Sequence, residues 1–192
     1  MKNLILAILT SFTAMTANAA LIEIYESNTG IGNIAQAQAV IDNAAAADTT
    51  ADSDTIFFSD VGHHGAPAFP GAHHTTFVLK ASGLIDTSNY SALWISHDDG
   101  IDVDVNGNDF YTYNGNTALR GSGWLSLGAD AGLQSFDLLF WEHGGAASVL
   151  VYGWLRDTNS YEVAKVATVA EPGSIALLAL GLIGLGVARR KA

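Results

Sequence analysis

From position 55 to 155 the chain never goes more than about ten residues without a Gly, Asn or Ser that interrupts it. The runs between these breaks are short and rich in β-branched, aromatic and aliphatic residues. The candidates are 55–59, 75–81, 91–96, 101–105, 109–113, 123–127, 134–142 and 149–155. Many short strands with frequent turn signals predict a mainly β fold, an antiparallel β-sandwich. Ile101-Asp102-Val103-Asp104-Val105 alternates apolar and acidic residues, as a strand with one buried face does. Asn106-Gly107 follows it, the strongest short hairpin signal. A second hairpin is expected where 136–142 turns through His143-Gly144-Gly145 into 149–155. Ahead of the strands, 21–25 reads as an opening strand and 34–47 as the one helix, with Ile34, Ala37, Val40, Ile41 and Ala44 near helical spacing. The polar stretch 48–54 reads as a loop.

The two ends of the chain have a different character. Met1-Lys2, an apolar stretch from Leu4 to Met15 and Ala17-Asn18-Ala19 give the order of charge, apolar run and small-residue cleavage box of a secretory signal, covering 1–19. At the other end, Glu171-Pro172 precedes sixteen uncharged residues, Gly173 to Ala188, and then Arg189, Arg190 and Lys191. As a helix this apolar run extends about 24 Å, with Pro172 suited to its first turn and the bases placed to hold a membrane span on its cytoplasmic side. The reading is a transmembrane helix within 169–192. It leaves 20–168 as one exported domain, tethered at the inner membrane.

The tail resembles the PEP-CTERM sorting signal of exopolysaccharide-producing bacteria, a Pro-Glu-Pro box followed by an apolar helix and a terminal Arg cluster. Ala170 stands where the box has its first proline. The resemblance implies handling by an exosortase-type processing enzyme through Glu171, Pro172, Arg189 and Arg190. It further implies a final place at the cell surface or in the extracellular matrix.

Composition narrows the chemistry. With no Cys, the domain has neither disulfides nor a thiol nucleophile. Every acid of the chain except Glu171 lies in 20–168, against four bases there, Lys80, Arg120, Arg156 and Lys165. Such a surface repels nucleic acid and anionic polymers, tolerates neutral glycans and attracts divalent cations. No phosphate loop, HExxH or GxSxG is present.

Ser96-His97-Asp98-Asp99-Gly100 places two carboxylates side by side at the end of a strand. Crowded oxygen ligands in a loop suit Ca²⁺, and an Asp-Gly turn accounts for the same residues without an ion. The stretch from Leu93 to Gly107, with Phe136 to Gly153 some thirty residues on, resembles the protective-antigen domain family, a β-sandwich of glycosidases, toxins and flocculin-type adhesins. Its pattern is an apolar strand, Ser-Asp-Asp-Gly, a strand ending in a Gly turn, then a strand ending in Glu before a Gly-rich turn. Here His97 intervenes between Ser96 and the Asp pair. The resemblance implies that Asp98 and Asp99 hold calcium, which in the lectin members binds sugar hydroxyls.

Asp102-x-Asp104-x-Asn106-Gly107 imitates the start of an EF-hand loop, but its twelfth position is Tyr113 rather than Glu, so a strand and hairpin are expected. His63, His64, His73 and His74 form a second candidate metal set, within a Pro- and Gly-containing segment that reads as a surface loop. Trp94, Trp124, Trp141 and Trp154 are able to stack on sugars, although their strand-like settings place most of them in the core. The functional expectation is a non-catalytic glycan-binding or structural component of the exopolysaccharide layer, with extracellular polysaccharide as partner. The competing expectation is a metal-dependent hydrolase or glycosidase-accessory protein using the His/Asp cluster.

Overall fold

The computed structural model describes residues 19–71, 75–129 and 132–167. Most of the expected signal, the whole sorting tail, His73 and His74 lie outside the described residues. Among the described residues no helix is long and apolar enough to cross a membrane.

The elements in chain order are β1 (Ala20–Glu26), α1 (Ile34–Asn43), β2 (Thr49–Ser53), β3 (Phe57–Ser59), β4 (Phe77–Asp86), β5 (Tyr90–Asp98), β6 (Gly100–Val105), β7 (Asn108–Tyr113), β8 (Arg120–Ser126), β9 (Leu133–Glu142), β10 (Ser148–Leu155), β11 (Tyr161–Val163) and β12 (Val166–Ala167). A one-turn 3-10 helix, His63–Gly65, lies between β3 and β4. Two sheets result. One runs β2-β1-β4-β9-β6-β7, with β12 beside β4, and the other runs β11-β10-β5-β8, with β3 beside β10. Every named strand pair is antiparallel.

The alternation read from the sequence decides what is buried. Ile101, Val103 and Val105 of β6 join Phe136, Leu138 and Phe140 of β9, Leu93 and Ile95 of β5, and Val149 and Val151 of β10 in one apolar core between the sheets. The Asn106-Gly107 turn forms as expected, with both residues at positive φ (55° and 69°), and joins β6 to β7. On the far face of the larger sheet, α1 covers a second cluster of Tyr25, Val78 and Trp141, into which it sends Ala37. Asn33 caps this helix, its Oδ1 accepting the Gln36 N–H at 3.0 Å.

Three expectations change. The helix ends at Asn43 and does not continue to 47, because Asp48 is already bound to the edge of β1. Its N–H donates to the Ile24 carbonyl at 2.9 Å and its carboxylate accepts from the Glu26 N–H at 2.8 Å. The polar stretch read as a loop is β2, paired with β1 from Ala20–Ser53 to Ile24–Thr49. The second hairpin does not form. β9 and β10 belong to different sheets, β9 pairing with β4 over its whole length and β10 with β5. Residues 143–147 cross between the sheets with Gly144 and Gly145 at positive φ. Neither strand has an edge left for the other.

The chain enters and leaves the domain at one place. β1 and β12 lie end to end along β4, and a Cβ on Gly83 would sit 2.7 Å from the Ala167 carbonyl oxygen and 3.0 Å from the Ala20 Cβ.

Candidate functional site

At the end of β5 the chain passes directly into β6, moving from one sheet to the other through Asp98, Asp99 and Gly100. The Asp98–Asp99 peptide is cis. Gly100 is set by packing, not by a left-handed turn: a Cβ there would lie 1.9 Å from Cζ2 of the Trp141 indole. The sheet-crossing segment after β9 arrives at the same rim and brings Glu142 with it. The carboxylates of Asp98, Asp99 and Glu142 each place one oxygen within 4.8 Å of the others.

One loop, 114–119, fixes this corner. The Asn114 Oδ1 accepts the Ile34 N–H at the start of α1, and the Asn116 Oδ1 accepts the Trp141 Nε1–H at 3.2 Å. The Thr117 N–H donates to one Asp99 oxygen at 2.8 Å, while the His143 N–H donates to the other at 2.8 Å. Asp98 accepts from the backbone of Leu119. His97 points inward and is fully buried, its Nδ1–H donating to the Asp99 carbonyl and its Nε2 accepting from Tyr111. Burial holds this imidazole below its ordinary pKa, so it stays neutral and supports the Asp pair from beneath.

Glu142 is the buried charge of the site. Its side chain is 1% accessible. Oε1 accepts the Gly144 N–H at 2.9 Å, and Oε2 is buried with no hydrogen-bond partner. Burial, followed by the negative charge of Asp99, Asp98 and Asp60, pushes its pKa up to about 8. Asp98 is also raised, by burial and then by Asp99. Three crowded oxygen donors, one of them unpaired and buried, fit a hard divalent cation better than they fit each other.

Of the remaining candidates His63 lies beside the rim, its partner Ser148 standing opposite Asp98 in the sheet, and the others are placed elsewhere. Asp102 and Asp104 face outward from β6, Asp102 accepting from the Thr112 hydroxyl at 2.6 Å and Asp104 lying opposite Asp137. They sit on the far face of the larger sheet, away from Asp98. His63 and His64 diverge. The His63 Nδ1 pairs with the Ser148 hydroxyl at 2.9 Å, and the His64 ring lies against Tyr152. Trp141 is core, whereas Trp94, Trp124 and Trp154 lie on the outer face of the smaller sheet, reversing the expectation that most of the four are buried. In the sequence Glu142 is only the last residue of an apolar run before Gly144-Gly145. The strand-Glu-Gly-Gly pattern is visible, but its convergence on Asp99 exists only in space.

Residues 168–191 match the PEP-CTERM protein-sorting motif. No curated protein matches the chain. Among solved structures, the PA14 domain of the MpAFP antifreeze protein superposes with a TM-score of 0.66 at 20% identity, covering 81% of this chain and 93% of that one. A PA14 sugar-binding domain from an RTX adhesin gives 0.61 at 21% identity, covering 80% and 99%. The A domain of Epithelial Adhesin 9 from Candida glabrata, in complex with Galβ1-4GlcNAc, gives 0.58 at 10% identity, covering 83% and 93%. The chain thus ends in a PEP-CTERM sorting motif and carries ahead of it a β-sandwich with the fold of PA14 and adhesin domains.

Proposed function

We propose that this is an exported glycan-binding protein of the cell surface or extracellular matrix, non-catalytic, in which Asp98, Asp99 and Glu142 hold a calcium ion. The unpaired, buried Oε2 of Glu142 beside two further carboxylates carries this reading. The bound cation would supply a coordination centre for sugar hydroxyls, while the protein's part is to hold its three carboxylates against their mutual repulsion. The sugar-binding domain of the RTX adhesin and the glycan in the Epithelial Adhesin 9 complex support the ligand class. The sorting motif supports export, membrane tethering and passage to an exosortase-type enzyme, with extracellular polysaccharide as the partner. A non-catalytic role is supported by the sugar-binding and adhesin domains that share this fold.

Calcium titration tests this reading. An ion that binds only the native fold stabilises it by about 2.7 kcal/mol at a hundred times its dissociation constant. Asp98→Asn with Asp99→Asn should remove that gain and leave the strand content intact. A glycan array read with and without chelator then reports the ligand. No calcium heat and no shift in melting temperature would leave Asp98-Asp99-Gly100 as a sheet crossing without an ion, and a structural matrix role for the protein.

A further inference from the structure

The outer face of the smaller sheet should be polar if it only met solvent. Instead its open part is aromatic. Leu93 and Ile95 of β5 point into the core, so Trp94, Ser96 and Asp98 point outward along one line. Strand pairing sets Tyr152 of β10 beside Trp94, and Trp124 of β8 on its other side. Tyr161 of β11 stands opposite Trp154. The result is a cleft of about 300 Å³ lined by His64, Trp94, Ser96, Trp124, Tyr152 and Tyr161.

The lining is not a core that failed to close. Trp124 is 38% and Tyr161 60% exposed, although Trp124 meets Trp94 and Trp154 edge-on at 68° and 79° and Tyr161 stacks on Trp154 at 26°. Their exposure leaves aromatic surface open at the cleft. His64 is held against Tyr152 by a backbone with φ of 54°, a left-handed conformation that a non-glycine residue adopts only at a cost. The Tyr152 hydroxyl is buried and has no hydrogen-bond partner.

We propose that this aromatic cleft is a second, calcium-independent subsite that takes one ring of a neutral glycan, stacked on Trp124 and hydrogen-bonded to the Tyr152 hydroxyl. The proposal deepens the glycan-binding reading above and rests on it. The apolar C–H face of a pyranose matches an open aromatic ring, and its hydroxyls match the unpaired phenol, the Ser96 hydroxyl and the His64 imidazole. The lining contains neither Lys nor Arg, and the chain is strongly acidic, so an anionic sugar is disfavoured. A quaternary ammonium group suits an aromatic box, but it would leave the phenol unpaired and find no carboxylate in the lining. Continuity with the carboxylate rim suggests one occupant for both. Ser96 is one outward step from Asp98, roughly 7 Å along the strand, a spacing that neighbouring rings of a single glycan can bridge.

Tryptophan fluorescence reads this site directly, because Trp94, Trp124 and Trp154 lie on this face and the fourth, Trp141, is buried under α1. The purified full-length chain is titrated in chelator with maltose, cellobiose, laminaribiose, xylobiose, mannobiose, lactose and, separately, choline. The expected result is a saturable change with at least one disaccharide and none with choline. Trp124→Ala should weaken it about tenfold and Tyr152→Phe about fivefold. Asp98→Asn with Asp99→Asn should leave it unchanged. Circular dichroism confirms the fold of each variant, and Trp124→Leu replaces Trp124→Ala if the latter unfolds. Silence toward every disaccharide, a response to choline alone, or a response lost with the Asp pair overturns the proposal. Loss of calcium binding with the chelator-resistant response intact would instead sink only the metal site.

Discussion

Glu142 concentrates the chemistry of the rim in one proton. In the metal-free protein its carboxyl is raised to about 8, so at neutral pH it is mostly protonated in the fold and ionised in the unfolded chain. A group raised on folding stabilises the native state below its unfolded pKa, and that stability is lost as pH climbs to the folded value. The melting temperature of the metal-free domain should therefore fall between about pH 4.5 and pH 8, with Asp98 acting in the same direction. Calcium must displace the proton, so its affinity should rise by up to about tenfold per pH unit below 8, and each binding event should release a proton measurable in buffers of different ionisation heat. Glu142→Gln should flatten the melting profile and remove the calcium response. A flat profile in the wild type would overturn this account. At Gly100, substitution by Ala drives a methyl into the Trp141 ring and should lower unfolding free energy by about 1–3 kcal/mol, read from denaturant midpoints. Asp98 and Asp99 are legible in the sequence because adjacent carboxylates before a Gly form a contiguous word. Glu142, forty-three residues on from Asp99, is not, and neither is the inward turn of His97 beneath them.

Strands were easier to read than their partners. The β6–β7 hairpin is legible because alternation and Asn106-Gly107 are local facts. The crossing from β9 to β10 is not, since 136–142 and 149–155 carry the apolar character of strands whether they pair with each other or with β4 and β5. β2 reads as a loop because Ala51 is the one apolar residue in Thr49 to Ser53. It is a strand because the free edge of β1 supplies its hydrogen bonds. Tyr90 shows how the short strands past β10 are held. Its hydroxyl donates to Glu162 at 2.9 Å and accepts the Lys165 N–H at 3.1 Å, tying β5 to β11 and to the approach to β12. Burial drives this phenol up to about 12. Tyr90→Phe should cost about 1–3 kcal/mol, because a backbone N–H loses its acceptor, and it should speed hydrogen exchange in 161–167 more than in β4. Equal exchange throughout would show that the phenol does not anchor these strands.

Charge divides the whole chain: 20–168 carries every acid but Glu171, whereas the segment from Gly173 to Ala188 has no charge. Leu178→Asp with Leu182→Asp should release the protein from the membrane fraction, since each mid-span acid costs about 2.5–3.5 kcal/mol on insertion scales. Unchanged fractionation would show that this segment is not the tether. The join along β4 fixes where the two ends of the domain lie relative to the carboxylate rim. Phe77, at one end of that strand, lies opposite Glu142, and Leu84 lies opposite Ala167, roughly 23 Å away at about 3.3 Å per residue. The exit of the domain at Ala167 and the carboxylate rim thus lie toward opposite ends of β4. Under the proposed function, many such rims offered to one long polymer would hold it by avidity more than by the strength of any one contact.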